Sequence, residues 1–502
     1  MSCCKRVVAV VGLCLGVCLL VWWMVEQQGA LAVIRPQSAV ELDSYPNCRF
    51  GVTTGSDVLD YDVASLNAGW YLNWATWMSP PHPGGAQYMQ MVRLTQEGNG
   101  YTVSPPTTTL LSLVDAHPGA TWLIGNEPDG YPLAADTDSM YPTIYAHAYH
   151  DLYYLVKNRD PSAQIAIGAI IQPTPLRFEY LDTVWDTYYQ TYSETIPVDI
   201  WNIHSFILRE TRFAPDPEPC GDTIPVWGAY VPRGATTTTG ELYCIRDQDD
   251  LDIFWQRIRD FRQWMAARGE RYKPLIITEY GVLFPEDYDD EDGRLFSQPR
   301  VGAFMTSTFD LMLNETDTLI GYPYDGNRLV QRWAWFSLSE AEVMGGALFD
   351  PQTKDLRLLG QYFRDYTLAI TPTVDLVVAQ AYAAPAVFWY EEAPVTTTLK
   401  AVISNMGNIS TSLPITVAFY DGPPGETGTN PIGTESVIYG GLQGCADYEV
   451  VETEWSGLAT GTHRFYVEMA QGDDGSTAYD TAEGVVLVAS HRLFLPIGVR
   501  EH

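Results

Sequence analysis

The sequence has little positive charge. Its 502 residues contain 29 lysines and arginines against 62 aspartates and glutamates, which gives a formal net charge of −33 at pH 7. Such an excess of negative charge repels phosphate backbones and anionic lipid surfaces. We therefore expect no nucleic-acid partner. The charge suits a neutral or cationic partner, but solubility outside the cell is the preferred interpretation of it.

The sequence also lacks the patterns of common metal and nucleotide sites. Its cysteines form no CxxC pair, its acidic run "DYDDED" does not follow the EF-hand order, and no glycine-rich phosphate loop is present. We therefore predict neither a metal nor a cofactor. Cys220 and Cys244 flank one loop-like segment and form a candidate disulfide for an oxidising compartment. Cys48 and Cys445 have no evident partner, and we expect them to be free buried thiols.

The N-terminal segment is strongly apolar. Two basic residues precede an uninterrupted apolar run over residues 7–25, and a small-x-small site, "ALA", follows it. The run is long enough for a membrane helix, and the site that follows would suit signal cleavage, so residues 1–32 are either a signal peptide or a membrane anchor. Residues 33–47 are a tether. In both cases the rest of the chain is predicted to be extracellular or at the cell surface, with membrane contact only through this helix.

Residues 48–371 alternate between strand-like and helical patterns. Alternation of this kind predicts a parallel sheet covered by helices. Eight units in this length favour an α/β fold of the (β/α)8 TIM-barrel type, with an open doubly wound sheet as the alternative. The eight strand-like runs are "RFGVTTG", "GWYLNWAT", "YMQMVRLT", "ATWLIGNEP", "AQIAIGAII", "VDIWNIHSFIL", "KPLIITEYG" and "LVQRWAWFSL".

Residues 372–490 have a different character. Short alternating runs rich in Thr and Val are separated by turns rich in Gly, Pro and Asn, which is typical of a β-sandwich. The portions "NMGN…ITVAFYDG" and "GLATGTHRFYVEM" resemble CARDB-type Ig-like modules of bacterial surface proteins. That resemblance implies a spacer or adhesion module without chemistry of its own. Residues 491–502 form a C-terminal tail.

Polar and aromatic side chains follow four of the predicted barrel strands. In a (β/α)8 barrel the carboxyl ends of the strands meet at one face and carry the functional groups. The candidates at these ends are Asn126 and Glu127 after the fourth strand, His204 after the sixth, Glu279 and Tyr280 after the seventh, and Trp335 on the eighth.

Two glutamates facing each other across such a face suit glycosidic-bond cleavage with retention. Glu127 would act as acid and then base, and Glu279 as nucleophile, with Tyr280 and His204 donating hydrogen bonds to it. Asn126 would donate to a sugar hydroxyl.

We expect one tryptophan of the eighth strand to form a platform under a sugar ring. Trp335 is the preferred candidate, with Trp333 pointing the opposite way. Trp74 and Trp77, in the loop after the second strand, are expected to pack in the core.

The motifs "WLIGNEPD", "VDIWNIHSF" and "KPLIITEYG" resemble the large group of retaining (β/α)8 glycoside hydrolases with catalytic glutamates on strands four and seven. They are most similar to the endo-β-1,3-glucanases of glycoside hydrolase family 128 and to the related "glycosyl hydrolase catalytic core" sequences, over roughly residues 48–370. The resemblance implies Glu127 as acid/base, Glu279 as nucleophile, and Asn126 and His204 as contacts of the sugar that is cleaved. It also implies endo action on a β-glucan, with the β-1,3 linkage first.

Two alternatives stay open at this stage. In the first, the chain is a carbohydrate-binding surface protein without turnover. In the second, it is a transglycosylase that remodels cell walls. We expect a monomer in each case.

Overall fold

The computed structural model describes residues 47–130, 137–211, 220, 228–339, 345–389, 392–439, 441–470 and 481–490. The predicted apolar helix over residues 7–25 and the tail over 491–502 lie outside these ranges. Among the residues that are described, no helix combines the length and apolar character needed to cross a membrane.

The N-terminal part, up to residue 369, mixes strands with helices. Its strands are β1 (Asn47–Thr53), β2 (Ala68–Leu72), β3 (Gln87–Tyr88), β4 (Gln90–Glu97), β5 (Gly100–Ser104), β6 (Thr121–Asn126), β7 (Gln164–Ala169), β8 (Trp201–His204), β9 (Arg209–Glu210), β10 (Gly228–Ala229), β11 (Leu275–Tyr280) and β12 (Arg332–Trp335). Its α-helices are α1 (Thr107–Ala116), α2 (Pro142–Arg159), α3 (Pro175–Tyr192), α4 (Leu251–Ala267), α5 (Gln298–Asn314) and α6 (Leu358–Ala369). Short 3-10 helices cover Val58–Asp60, Val63–Leu66, Pro83–Gly85, Ile245–Asp249, Glu270–Tyr272 and Pro323–Asp325.

The parallel strands of this part follow one another side by side. One sheet has the order β3-β2-β1-β12-β11-β8, and a second has the order β5-β4-β6-β7. Parallel bridges from Ala166 to Ile200 and from Ile170 to Ile203 connect β7 to the segment of β8. At the other edge, β3 and β4 are separated by one residue, Met89, whose N–H donates to the carbonyl of Tyr71 in β2. Each of the eight predicted runs therefore contains a strand of this parallel series.

The strands are apolar on both faces, which explains their continuous apolar runs. On β6, Trp122 and Ile124 belong to the large core between strands and helices, whereas Leu123 belongs to a smaller cluster enclosed by the strands. Three helices, α2, α3 and α5, have proline at their first or second position, where the missing N–H is tolerated. Asp250 is the N-cap of α4, and its side chain accepts a hydrogen bond from the N–H of Ile253.

One hairpin was not predicted. β4 is antiparallel to β5: Arg93 lies opposite Ser104 at one end of the hairpin and Glu97 lies opposite Gly100 at the other. Between the strands, Gly98 has a positive φ of 61°. The two loop residues, Gly98 and Asn99, carry glycine at the first position, which is the signal of a II′ hairpin turn. The hairpin extends the third strand of the parallel series beyond its neighbours.

The C-terminal part consists of two sheets with a shared core. Its strands are β13 (Leu376–Ala384), β14 (Val387–Trp389), β15 (Val395–Asn405), β16 (Ile415–Tyr420), β17 (Pro431–Ile438), β18 (Asp447–Leu458), β19 (Gly461–Ala470) and β20 (Thr481–Ala489). They form sheets of order β13-β15-β18 and β14-β20-β19-β16-β17. Leu399 and Ile403 of the first sheet pack with Val417, Phe465 and Val486 of the second. The pairs are antiparallel except for β14 with β20.

A disulfide between Cys48 and Cys445 joins the two parts across 397 residues of sequence. The prediction of free thiols at these positions was therefore wrong. The contact arises because the start of β1 lies against the loop that leads into β18. Beside it, Arg49 is buried, pairs with Asp325 at 2.8 Å and donates to the carbonyl of Met406 at 2.9 Å. The predicted Cys220–Cys244 pair is also present as a disulfide.

Candidate active site

Glu127, His204 and Glu279 come together at the carboxyl ends of β6, β8 and β11. The Nδ1 atom of His204 lies 2.9 Å from Oε1 of Glu127, and its Nε2 atom lies 3.3 Å from Oε1 of Glu279. One side-chain oxygen of each glutamate and one imidazole nitrogen all lie within 4.8 Å of one another. The imidazole is fully buried and bridges the two carboxylates.

The turn that presents Glu127 is conformationally unusual. Gly125 has a φ of 91°, and Glu127 itself has a φ of 47° in the left-handed region. This conformation costs a non-glycine residue about 1–2 kcal/mol. The turn is held by hydrogen bonds of 2.8 Å, from the N–H of Gly130 to the carbonyl of Glu127 and from the N–H of Met140 to that of Pro128. Strain of this kind is concentrated at functional sites.

A buried ion-pair network anchors the same turn. Arg177 of α3 pairs with Asp129, and its Nε atom lies 2.8 Å from a carboxylate oxygen of Glu210. All three side chains are excluded from solvent. Burial lowers the pKa of the guanidinium, but the two carboxylates outweigh burial and raise it. Arg177 therefore stays charged and fixes the chain two residues after Glu127.

Asn126 lies beside Glu127 and is buried. Its backbone N–H donates to Oδ2 of Asp138 at 2.9 Å, and the same oxygen accepts from the N–H of Leu94. Arg93 pairs with the other oxygen of Asp138 at 2.8 Å. This network connects the carboxyl end of β6 to β4 and fixes the backbone of Asn126, and therefore the position of its side chain.

Trp74 is a site residue that the sequence analysis assigned to the core. Its indole Nε1 donates to Oε1 of Glu279 at 2.6 Å. The residue is only partly buried and has a positive φ of 56°, which directs its side chain from the loop after β2 toward β11. No pattern in "LNWATW" indicates this conformation. Trp77 packs against Tyr88 and the outer core, in line with the expectation for it.

Aromatic rings continue from Trp74 along one side of the site. The ring of Phe336, directly after β12, lies 6.1 Å from the Trp74 ring and 5.8 Å from that of Phe206. The Phe206 ring in turn lies 6.1 Å from the His204 imidazole. These rings form an aromatic wall, defined as Trp74, Phe336 and Phe206, next to the two carboxylates.

Tyr280 and Trp335 do not reach the site. Tyr280 is fully buried, contacts Thr308 of α5, and packs edge to face on Trp335 at 5.3 Å. The Trp335 indole donates to the carbonyl of Gly346. Neighbours on a strand point to opposite faces and residues two apart share one. Tyr280 therefore faces away from Glu279, and Trp333 and Trp335 both point outward, so the expectation that only Trp333 does so was wrong.

The charge state of His204 follows from its neighbours. Burial lowers the pKa of the imidazole, but Glu279 and Glu127 together raise it above its ordinary value. A protonated imidazole has an N–H at each nitrogen, one toward each glutamate. The same three residues offer one ligand atom each within 4.8 Å of one another, which is close enough for a metal site. Their geometry fits a cation poorly, because the imidazole lies between the carboxylates instead of converging with them on one point.

Comparisons with known proteins return structural similarities only. No family model matches the chain, and no curated protein matches it. Among solved structures, a GH128 (subgroup II) endo-β-1,3-glucanase from Pseudomonas viridiflava is 16% identical, with 63% of this chain and 97% of that chain covered and a TM-score of 0.41. A glucosidase from Croceicoccus marinus is 11% identical over 81% of this chain and 96% of its own, with a TM-score of 0.40.

The C-terminal part has its own similarity. The CARDB domain of a Pyrococcus furiosus protein is 14% identical, with 24% of this chain and all of that chain covered and a TM-score of 0.19. The two larger neighbours are thus glycoside hydrolases, and the smaller neighbour is a CARDB domain. With TM-scores below 0.5, these similarities decide neither the family nor the substrate.

Proposed function

We propose that the chain is a glycoside hydrolase that cleaves a β-linked polysaccharide with retention of configuration. The observation that carries this proposal is the separation of Glu127 and Glu279, whose nearest oxygens lie within 4.8 Å. Retaining enzymes hold their carboxyl groups about 5–5.5 Å apart, whereas inverting enzymes leave about 6.5–9.5 Å for a water molecule.

Glu279 is the nucleophile in this proposal. The Trp74 indole N–H and the His204 imidazole both approach its Oε1 atom, at 2.6 and 3.3 Å. The Trp74 hydrogen bond and the positive charge of His204 stabilise the negative charge of the carboxylate, one oxygen of which attacks the anomeric carbon. Attack by that oxygen forms a glycosyl ester and releases the leaving-group oxygen.

Glu127 is the acid and then the base. Its side chain is 15% exposed against 7% for that of Glu279, which suits the group that must meet both the leaving group and the incoming water. His204 holds its Oε1 atom at 2.9 Å, and the anchored turn fixes its backbone. Asn126, next to it, donates to the hydroxyl adjacent to the reacting carbon, a contact that strengthens as charge develops.

The surroundings support a neutral polysaccharide. The net charge of −33 disfavours anionic polymers, and the partly exposed rings of Trp74 and Phe336 in the aromatic wall offer apolar surface to the flat faces of sugars. Among neutral β-glucans, we propose the β-1,3-linked polymer as the first to test, with endo action.

The parallel series of eight strands supports a (β/α)8 barrel as the catalytic domain, over residues 48–371. The two-sheet part over residues 372–490 is proposed as a CARDB-like spacer. The two disulfides support export, because such bonds persist in oxidising compartments.

The experiment is reducing-end release from a panel of β-1,3-, β-1,4- and mixed-linkage glucans, xylan and mannan. Glu127→Gln and Glu279→Ala are compared with Glu179→Gln, an exposed glutamate on α3. We expect cleavage of one polymer, a loss of about a thousandfold or more in both site variants, and wild-type rates in the control. Activity that survives both site substitutions would refute the assignment. Binding of one polymer without cleavage by the wild type would instead favour a carbohydrate-binding protein.

A further inference from the structure

A cavity of about 570 Å³ lies between the N-terminal parts of α3 and α4. A volume of this size is in the range of small-molecule binding pockets. It is lined by Pro173, Thr174, Pro175, Glu241, Tyr243, Asp252, Ile253, Trp255, Gln256, Arg257 and Asp260. None of these residues has a role in the proposed mechanism.

The cavity is at the same end of the strands as the catalytic glutamates. Its lining comes from the start of α3, which follows the carboxyl end of β7, and from the start of α4, which follows the loop after β8. Arg257 of α4 also donates to the carbonyl of Phe206. Since Phe206 belongs to the aromatic wall, this hydrogen bond connects the lining of the cavity with the wall of the catalytic site.

The lining combines aromatic rings with hydrogen-bonding groups. Trp255 and Tyr243 are partly exposed, and the carboxylates of Glu241, Asp252 and Asp260 line the same cavity. A flat ring flanked by several carboxylate acceptors is suited to a sugar, whose ring face is apolar and whose edge carries hydroxyl donors. The same carboxylates repel an anionic polymer.

Arg257 provides an independent indication of a ligand. It is 4% exposed and lies under the Tyr243 ring at 4.3 Å. Within the described ranges, its Nε and Nη2 atoms have no hydrogen-bond acceptor. A buried cation with unmatched N–H groups calls for an explanation in a native structure, and a functional role is one of the usual ones.

We propose that this cavity is a secondary carbohydrate site, in which Trp255 stacks on a sugar unit of a neutral oligosaccharide or polysaccharide chain. It holds the polymer close to the catalytic glutamates and so raises the effective concentration of the bond to be cleaved. The choice of sugar rests on the proposed function, whereas the site itself does not.

The first test compares Trp255→Ala with Trp185→Ala in the full chain. Trp185 is a partly buried tryptophan on α3 that packs on Trp264 and does not line the cavity. The readout is the ratio of kcat/KM on the polymer to that on a short oligosaccharide. We expect Trp255→Ala to lower this ratio about 2- to 12-fold through KM, as for loss of an aromatic stacking contact of about 0.5–1.5 kcal/mol. An equal ratio in both variants would overturn the proposal.

The second test measures binding without turnover, by affinity electrophoresis in gels that contain each polysaccharide of the panel. It compares Glu279→Ala with the double variant that also carries Trp255→Ala. Weaker binding by the double variant, with little dependence on salt, supports the site. Equal binding, or binding that collapses at high salt as expected for a charged ligand, overturns it. If the wild type cleaves no polymer, the proposed function fails, yet this comparison still decides the cavity. If the protein binds none of the polysaccharides, both the proposed function and the secondary carbohydrate site are refuted.

Discussion

Substitution of Trp74 by phenylalanine removes one hydrogen bond at the proposed nucleophile and little else. The indole N–H lies 2.6 Å from Oε1 of Glu279. Phenylalanine keeps an aromatic ring in the wall next to Phe336, whose centroid is 6.1 Å away. The change therefore separates the electrostatic contribution of the N–H from the packing contribution of the ring.

The expected magnitude follows from the type of contact. A hydrogen bond to a charged group contributes about 1.5–3 kcal/mol, and each 1.4 kcal/mol corresponds to about tenfold in rate, so kcat/KM should fall about 10- to 150-fold. Because the nucleophile is affected and the aromatic surface is kept, the loss should lie mainly in the step that forms the glycosyl ester. Thermal stability should change little, because Trp74 is only partly buried.

The assay is steady-state kinetics on the best polymer of the panel, together with the melting temperature of each variant. Trp77→Phe is the matched control, since Trp77 lies three residues away in the same loop and packs against Tyr88. A change of less than about threefold in Trp74→Phe, or an equal loss in Trp77→Phe, would refute the reasoning that the Trp74 N–H supports Glu279.

Three further outcomes are expected. Tyr280→Phe should change kcat/KM by less than about threefold and lower the free energy of unfolding by about 0.5–1.5 kcal/mol, because in the described part of the chain its hydroxyl hydrogen-bonds only Thr308 in the core. A large kinetic loss with normal stability would show that Tyr280 acts in the site. Cys48→Ser with Cys445→Ser should lower the free energy of unfolding by about 2–4 kcal/mol in denaturant titrations, and an unchanged midpoint would show that the disulfide adds nothing. His204 has a raised pKa in the folded protein. The contribution of its positive charge to stability is therefore fully present below the ordinary pKa of about 6.5 and is lost as the pH rises through the raised pKa. The stability advantage of the wild type over His204→Gln should therefore shrink as the pH is raised above that value, and a growing advantage in urea unfolding would contradict this.

The strands and the two glutamates could be predicted because each depends on local sequence. Runs such as "TWLIG" are apolar on both faces, and a polar tip after such a run marks the carboxyl end of a strand. The face of each side chain could also have been read from alternation. Ala334 belongs to the cluster enclosed by the strands, so its neighbours Trp333 and Trp335 had to face outward.

Other features depend on contacts that no local pattern carries. Trp74 reaches Glu279 because its backbone takes a positive φ, which is uncommon for a bulky residue and has no sequence signal. The Cys48–Cys445 bond joins residues 397 positions apart, and it exists only because the two-sheet part packs against the start of β1. The Arg177 network likewise joins the turn after β6 to the segment after β8 through α3.

The central claim is that Glu127 and Glu279 act as a retaining pair. The most direct test is proton NMR of the first product released from the β-linked polymer, recorded before mutarotation. Retention through a glycosyl ester on Glu279 predicts that the β-anomer appears first and converts slowly to the equilibrium mixture. An α-anomer as the first product would show direct attack by water and would contradict the role of Glu279 as nucleophile.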